Sequence, residues 1–229
     1  MPTSSLQAVV FDFDGVIADT EPLHLRAYQD ILAEAGITLT EMDYYARYLG
    51  YDDAGAFRAI ARDSGRALDE AALRDFIARK SRRFEELEAA GAVLFPGAVA
   101  CVRRCAAHWP LAVASGALRR EIELVLEHAG LRDCFQLVVS AEDTPKSKPA
   151  PDPYRLALEK LRDATGADIA ASRTVAIEDS RWGIQSARGA GLRCVAVTHS
   201  YGADALGEAD AIVPNLDALT IDRLQDLAG

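Results

Sequence analysis

Long apolar runs are missing from this 229-residue chain. None approaches the roughly 20 residues that a membrane-spanning helix needs, so no span is expected. The first residues lack the basic, apolar, small-residue order of a secretory signal, and a cytoplasmic location is the expectation. Cysteine is scarce: Cys101, Cys105, Cys134 and Cys194 are too few and too scattered for a disulfide framework. Cys101 and Cys105 lie four apart on an expected helix, but no His pair or second Cys pair accompanies them, which favours buried thiols over a metal site. Basic clusters are also lacking beyond the stretch around Arg79 to Arg83. With 25 Lys plus Arg against 35 Asp plus Glu, a net charge of −10, counterion release gives no grip on a nucleic acid. The acidic excess is shared between residues 19–92 and the rest, so it reads as solubility rather than as an acidic tail.

What is present is enough apolar material for a substantial core, half of all residues. Short runs rich in Val and Ile recur at Ala8 to Phe13, Leu111 to Ala114, Leu137 to Ser140, Thr174 to Ile177 and Arg193 to Val197. Segments with helical spacing precede the last four, such as Ile122/Val125/Leu126/Ala129 and Tyr154/Ala157/Leu158/Leu161. Continuous apolar strands alternating with amphipathic helices predict an α/β fold, a parallel sheet with helices on both faces. Ligands of such folds sit at the carboxyl ends of the strands. From about Asp19 to Ala92 the rhythm is purely helical, as in Tyr28/Ile31/Leu32/Ala35 and Leu73/Phe76/Ile77/Phe84/Leu87. The expected organisation is a core of residues 1–18 and 93–229 with an all-helical domain, 19–92, inserted after the first strand.

Chemistry gathers just beyond the strands. In "AVVFDFDGVIADTE", Asp12 and Asp14 are two apart, so both reach one cleft while Phe11 and Phe13 pack on the other side. Asp-Gly is also a hairpin signal, but the chain runs on into Pro22, a residue favoured in the first turn of a helix. After the second run comes Ser115-Gly116-Ala117, either a small-residue turn whose N–H groups cradle an anion or a serine N-cap. After the third, "KSKPAPDPY" carries Lys146 and Lys148, half of the four lysines in the chain. Asp152 and Pro153 there read as an N-cap followed by Pro at the first helical position, holding the loop and aiming Lys148. After the fourth come Glu178 and Asp179, adjacent acids that are costly at the end of an apolar strand unless solvated, paired or bound to a cation. With Asp12 and Asp14 they offer an oxygen-rich, Mg²⁺-type site opposite Lys148 and Ser115.

"DFDGVIADTE", "ASGA", "KPAPD" and "IEDSRWGIQSARGAGL" together resemble the four ordered motifs of the haloacid dehalogenase superfamily, within the helical-capped branch that includes phosphoglycolate phosphatase and β-phosphoglucomutase. The resemblance spans nearly the whole chain. It implies a Rossmann-like core, a cap that closes over the substrate, and Mg²⁺-dependent phosphoryl transfer on a small phosphorylated metabolite. Asp12 becomes the nucleophile, forming an aspartyl phosphate, and Asp14 the acid and base at the leaving oxygen and the incoming water. The metal takes a carboxylate oxygen of Asp12, the backbone carbonyl of Asp14 and a carboxylate oxygen of Asp179, with Glu178 binding directly or through a water. Ser115, Gly116 and Lys148 grip the phosphoryl oxygens. An acid at position 14 separates this pattern from dehalogenases and phosphonatases of the superfamily.

His24 and Lys80 match β-phosphoglucomutase residues near its substrate. Lys80 falls on the apolar stripe of its helix, facing the cleft or snorkelling at the cap edge. A sugar phosphomutase is the alternative activity, but Asp52 and Asp53 stand where an arginine for a second phosphate is expected and would repel it. A non-catalytic binding protein on the same fold is a further alternative, disfavoured because no site acid is missing. The sequence singles out neither a monomer nor a homodimer.

Overall fold

The computed structural model describes residues 6–49, 51–89 and 93–228; Gly50 and Ala92, the latter the expected end of the helical insertion, lie outside the described residues. Strands β1 (Ala8–Phe11), β2 (Leu111–Ala114), β3 (Leu137–Val139), β4 (Thr174–Glu178), β5 (Arg193–Val197) and β6 (Ala211–Val213) form one sheet in the order β3-β2-β1-β4-β5-β6. Every neighbouring pair is parallel. The chain therefore starts in the middle, winds outward through β2 and β3, and then crosses to β4 on the other side of β1. Such a reversal of strand order opens a crevice at the carboxyl ends of the strands on either side of it.

Parallel strands in a covered sheet are apolar on both faces, and β1 illustrates why. Ala8 and Val10 pack with Tyr154, Ala157, Leu161, Ile184 and Ala187 from helices α7 (Asp152–Thr165) and α8 (Arg181–Gly189). Val9 and Phe11 point the other way and are equally buried, Phe11 meeting Phe135 edge to face at 5.9 Å. Each large side chain so enclosed contributes about 1.5–3 kcal/mol relative to exposure. Helices α5 (Ala98–Ala106), α6 (Arg119–His128) and α9 (Ile221–Leu227) complete this unit. Cys101 and Cys105 lie on the buried stripe of α5 with Ala98 and Val102, as free thiols.

The remaining residues, Thr20–Val93, form a second compact unit that contains no strand among its described residues. Its helices are α1 (Glu21–Glu34), α2 (Glu41–Asp43), α3 (Asp53–Asp63) and α4 (Glu70–Glu88), with a π-helical turn at Tyr44–Tyr48. Pro22 sits in the first turn of α1, and Asp52 and Asp69 cap α3 and α4 by accepting backbone N–H groups. Tyr28, Ile31, Leu32, Phe57, Ile60 and Leu73 are among the residues of its own core. The insertion leaves and rejoins the sheet unit at one place: Ala18 bridges Leu94 antiparallel, and Phe95 N–H donates to the Ile17 carbonyl at 3.0 Å.

Two local expectations need correction. Strand β6 was not anticipated, because three residues between Asp210 and Pro214 carry no readable alternation. Asp152 is not an N-cap: α7 begins one residue earlier, Pro151 occupies the cap position with helical dihedrals, and Asp152 is the first helical residue. Its carboxylate still lies in the first turn, where it complements the helix dipole.

Candidate active site

Register builds the centre of the site. Phe11 of β1 pairs with Ile177 of β4, and Asp12 N–H donates to the Ile177 carbonyl at 2.9 Å, so the residues that follow both strands emerge side by side. Ligating oxygens of Asp12, Glu178 and Asp179 lie within 4.8 Å of one another, all three side chains buried. Lys148 stands between two of them, its Nζ 2.7 Å from Asp12 Oδ1 and 2.7 Å from Glu178 Oε1. One ammonium thus faces three buried carboxylates, and the charge does not balance. Burial, then Glu178, pushes Asp12 well above the ordinary carboxylate range despite Lys148. Burial, then Glu178, likewise pushes Asp179 up to about 7, with a Ser200 hydrogen bond and Lys148 opposing. Burial alone would lower Lys148, but Asp12 and Glu178 outweigh it and hold the amine protonated. Buried oxygens with surplus negative charge are what a hard divalent cation requires. The three acids are thus placed where they could hold a metal ion.

Glu178 differs from its neighbours. Oε1 accepts from Lys148 and, at 2.6 Å, from the Tyr154 hydroxyl; Oε2 accepts from Asp179 N–H at 3.2 Å and the Ser180 hydroxyl at 3.3 Å. With four donors already on its two oxygens, it is engaged in holding Lys148. Helix α8 approaches this carboxylate so closely that a Cβ on Gly183 would lie 1.9 Å from its atoms. Gly15, at φ +75°, is similarly confined: its Cβ would lie 1.9 Å from Asp179 Oδ2. Both positions exclude any side chain at all.

Other expected residues fall around this centre. The Ser186 hydroxyl donates to the Ala150 carbonyl at 2.5 Å and so ties down the loop that carries Lys148. Ser115 is buried where β2 ends, with its N–H donating to the Val139 carbonyl at 2.9 Å. It is not the cap of α6, which is Leu118; its Oγ instead accepts the Ala117 N–H at 3.0 Å and lies 3.5 Å from Asp14 Oδ2. The cradle of N–H groups expected there is therefore partly closed, since Ala117 N–H is engaged by Ser115 itself. Gly116 has open space where a side chain would be. Asp14 is half-buried and lies within the tight turn in which the Phe13 carbonyl accepts from Val16, Ile17 and Ala18.

In the helical unit, Lys80 does not snorkel: it is fully buried, with Nζ 3.0 Å from Asp53 Oδ1 and 2.7 Å from His24 Nδ1. Asp53 also accepts from the Tyr28 hydroxyl at 2.6 Å, and Asp52 accepts Gly55 N–H at the start of α3. His24 stacks on Phe84 at 4.5 Å; burial, then Lys80, depresses its pKa and keeps the imidazole neutral. Of the two acids expected to repel a second phosphate, Asp53 is thus paired with Lys80 and Asp52 is exposed.

Tyr154 and Gly183 were missed as site residues because each reads as an ordinary helix position, Tyr154 within the apolar stripe of α7. His199 and Ser200, just beyond β5, were also missed. His199 Nδ1 lies 2.9 Å from the Gly15 carbonyl, and its ring stacks on Phe95 at 4.1 Å. A polar pair following a strand that carries no other site motif is the only signal the sequence offers for them.

Residues 9–197 match the family model for haloacid dehalogenase-like hydrolases. The protein CbbY of Rhodobacter capsulatus is 32% identical over 97% of this chain and 99% of its own length. The fructose-1-phosphate phosphatase YqaB of Escherichia coli is 31% identical over 82% of this chain and 95% of its own. A mutant of CbbY from Rhodobacter sphaeroides, solved in complex with xylulose-(1,5)bisphosphate, superposes with a TM-score of 0.81 at 28% identity, covering 93% of this chain and 96% of that one.

Proposed function

The chain belongs to the haloacid dehalogenase-like hydrolase family, and on that premise we propose that it is a Mg²⁺-dependent phosphatase of small sugar phosphates working through an aspartyl phosphate on Asp12. One observation carries this reading: three buried carboxylates converge at the reversal of the sheet with a single lysine against two of them. The surplus charge fits a divalent cation, held by carboxylate oxygens of Asp12 and Asp179 and the backbone carbonyl of Asp14. Bound there, Mg²⁺ supplies the positive charge that keeps Asp12 ionised and offsets the approach of an anionic phosphate.

Asp12 attacks phosphorus through a carboxylate oxygen, forming an O–P bond as the ester O–P bond breaks. Its Oδ1 is oriented by Phe13 N–H at 2.7 Å and by Lys148. Asp14 donates a proton to the departing alkoxide. Having done so it is ionised, and it then accepts a proton from the water that attacks the acyl phosphate, which frees Asp12. Lys148, held protonated and fixed by Glu178 and Tyr154, places positive charge where the phosphoryl oxygens gather, and Ser115 offers its hydroxyl beside Asp14. His24 and Lys80 are assigned to substrate contact only through the resemblance. Their pairing with Asp53 supports a first role in organising the helical unit.

The sugar-phosphate reading is supported by the relatives. YqaB is named for fructose 1-phosphate and CbbY is seen with xylulose-(1,5)bisphosphate. The test is phosphate release from a panel containing both compounds, phosphoglycolate and β-glucose 1-phosphate, with Mg²⁺ and with chelator. Release from at least one sugar phosphate, abolished by chelator, is expected; none across the panel would overturn the reading. Glucose 6-phosphate appearing from β-glucose 1-phosphate and a bisphosphate primer faster than free phosphate would replace it with a mutase.

A further inference from the structure

We infer that His199 is a positioning residue that fixes the backbone of Gly15, and through it the direction of the Asp14 carbonyl; this rests on the reading of that carbonyl as a Mg²⁺ donor. A glycine in the left-handed region has no side chain by which packing could hold it, and at Gly15 none would fit, with Asp179 Oδ2 standing 1.9 Å from the place of a Cβ. Its conformation must be set through its peptide groups. The peptide before it contains both the Asp14 carbonyl and Gly15 N–H in one plane, and that N–H donates to the Ala18 carbonyl at 2.9 Å. The peptide after it presents the Gly15 carbonyl to His199 Nδ1 at 2.9 Å. A carbonyl only accepts, so Nδ1 carries the proton. With both flanking peptides held, the plane containing the Asp14 carbonyl has no soft rotation left.

The imidazole is itself braced. It lies nearly parallel to the Phe95 ring, 4.1 Å away with 19° between planes, and Phe95 N–H donates to the carbonyl of Ile17, inside the turn that also holds Asp14 and Gly15. The next residue, Ser200, bonds the Asp179 carboxylate. One short segment after β5 thus reaches two of the presumed cation donors, Asp14 through Gly15 and Asp179 directly. Groups that orient metal donors in this manner typically change metal affinity by about 10–100-fold when removed.

The ring and the donor can be separated by substitution. His199→Phe keeps a ring against Phe95 and loses the N–H, whereas His199→Asn keeps an amide N–H near the place of Nδ1 and loses the ring. Calorimetric Mg²⁺ titration of the full chain is the primary readout, with kcat and KM on a sugar phosphate that the wild type hydrolyses as the second. For His199→Phe the half-saturating Mg²⁺ concentration is expected to rise roughly tenfold or more and kcat to fall with KM within about twofold. His199→Asn is expected to restore both to within about threefold of wild type. Should His199→Phe not fold, His199→Leu carries the same expectation. Wild-type Mg²⁺ affinity in the donor-free variant, or equal impairment in His199→Asn, would overturn the role. A wild type that neither binds Mg²⁺ nor releases phosphate would instead sink the phosphatase reading itself.

Discussion

Each of the two units buries a lysine against carboxylate, and the two clusters differ in arithmetic rather than in kind. In the helical unit Lys80 meets Asp53 and a neutral His24, with Tyr28 donating to the same acid. The ion pair described there sets one ammonium against one carboxylate. In the sheet unit Lys148 meets Asp12 and Glu178, with Asp179 close by, and the negative charge is in surplus. A buried pair of one cation and one anion organises a core, whereas a cluster with surplus negative charge stays under electrostatic stress until a cation arrives. Burial of a lysine is therefore no mark of catalysis; the uncompensated acids around it are.

The sharpest way to break this contrast is Asp12→Asn. Replacing the nucleophile with an isosteric amide should lower kcat for phosphate release by about 10⁴-fold or more while the fold persists, measured in steady-state assays beside circular dichroism. Turnover near that of wild type would remove the sheet cluster from the chemistry. Next comes Lys80→Met, which leaves the half-buried Asp53 without its ion and should cost about 1.5–3 kcal/mol in urea unfolding. If the helical cluster is balanced, the double variant Lys80→Met/Asp53→Asn regains part of that loss. A double variant worse than the single would show that the two charges do not answer one another.

The smallest effect is the most diagnostic, because pH moves the two clusters in opposite directions. Asp179 is held up to about 7 in the folded chain, so the fold binds more protons than the unfolded chain above the ordinary carboxylate range. Metal-free protein should therefore lose stability as pH rises from about 4 to about 7, a limb that Asp179→Asn makes shallower and Mg²⁺ reverses. His24 is depressed below its ordinary value, so its contribution is present above about pH 6.5 and is lost as pH falls below it. Thermal midpoints across pH for wild type, Asp179→Asn and His24→Asn check both signs. A rising limb from the sheet cluster would contradict the surplus-charge account.

Legibility in the sequence followed distance along the chain. The runs that became β1 to β5 were readable because burial on both faces writes itself as uninterrupted Val, Ile and Ala; β6 was too short to do so. Asp12, Ser115 and Asp179 were readable because each follows a strand directly, Glu178 because it ends one, and Lys148 because it lies in the loop after one. Tyr154 was not: its hydroxyl reaches Glu178 across 24 residues, and a tyrosine on an apolar stripe looks like core. His199 was further out of reach, since its partner Gly15 is 184 residues away. Lys80 could be placed on the right stripe, but its burial depended on Asp53, which the sequence presents as a mere departure from a pattern.

The paired crossing at Ala18 and Leu94 has a bearing on how such a chain diversifies. Where an insertion begins and ends at adjacent points, the host sheet registers it as little more than a turn, whatever its length. The machinery for breaking phosphate esters can then stay unaltered while Thr20–Val93 is lengthened, shortened or exchanged. In that sense the antiparallel bridge is a socket: chemistry lies on one side of it, and on the other whatever a lineage plugs in.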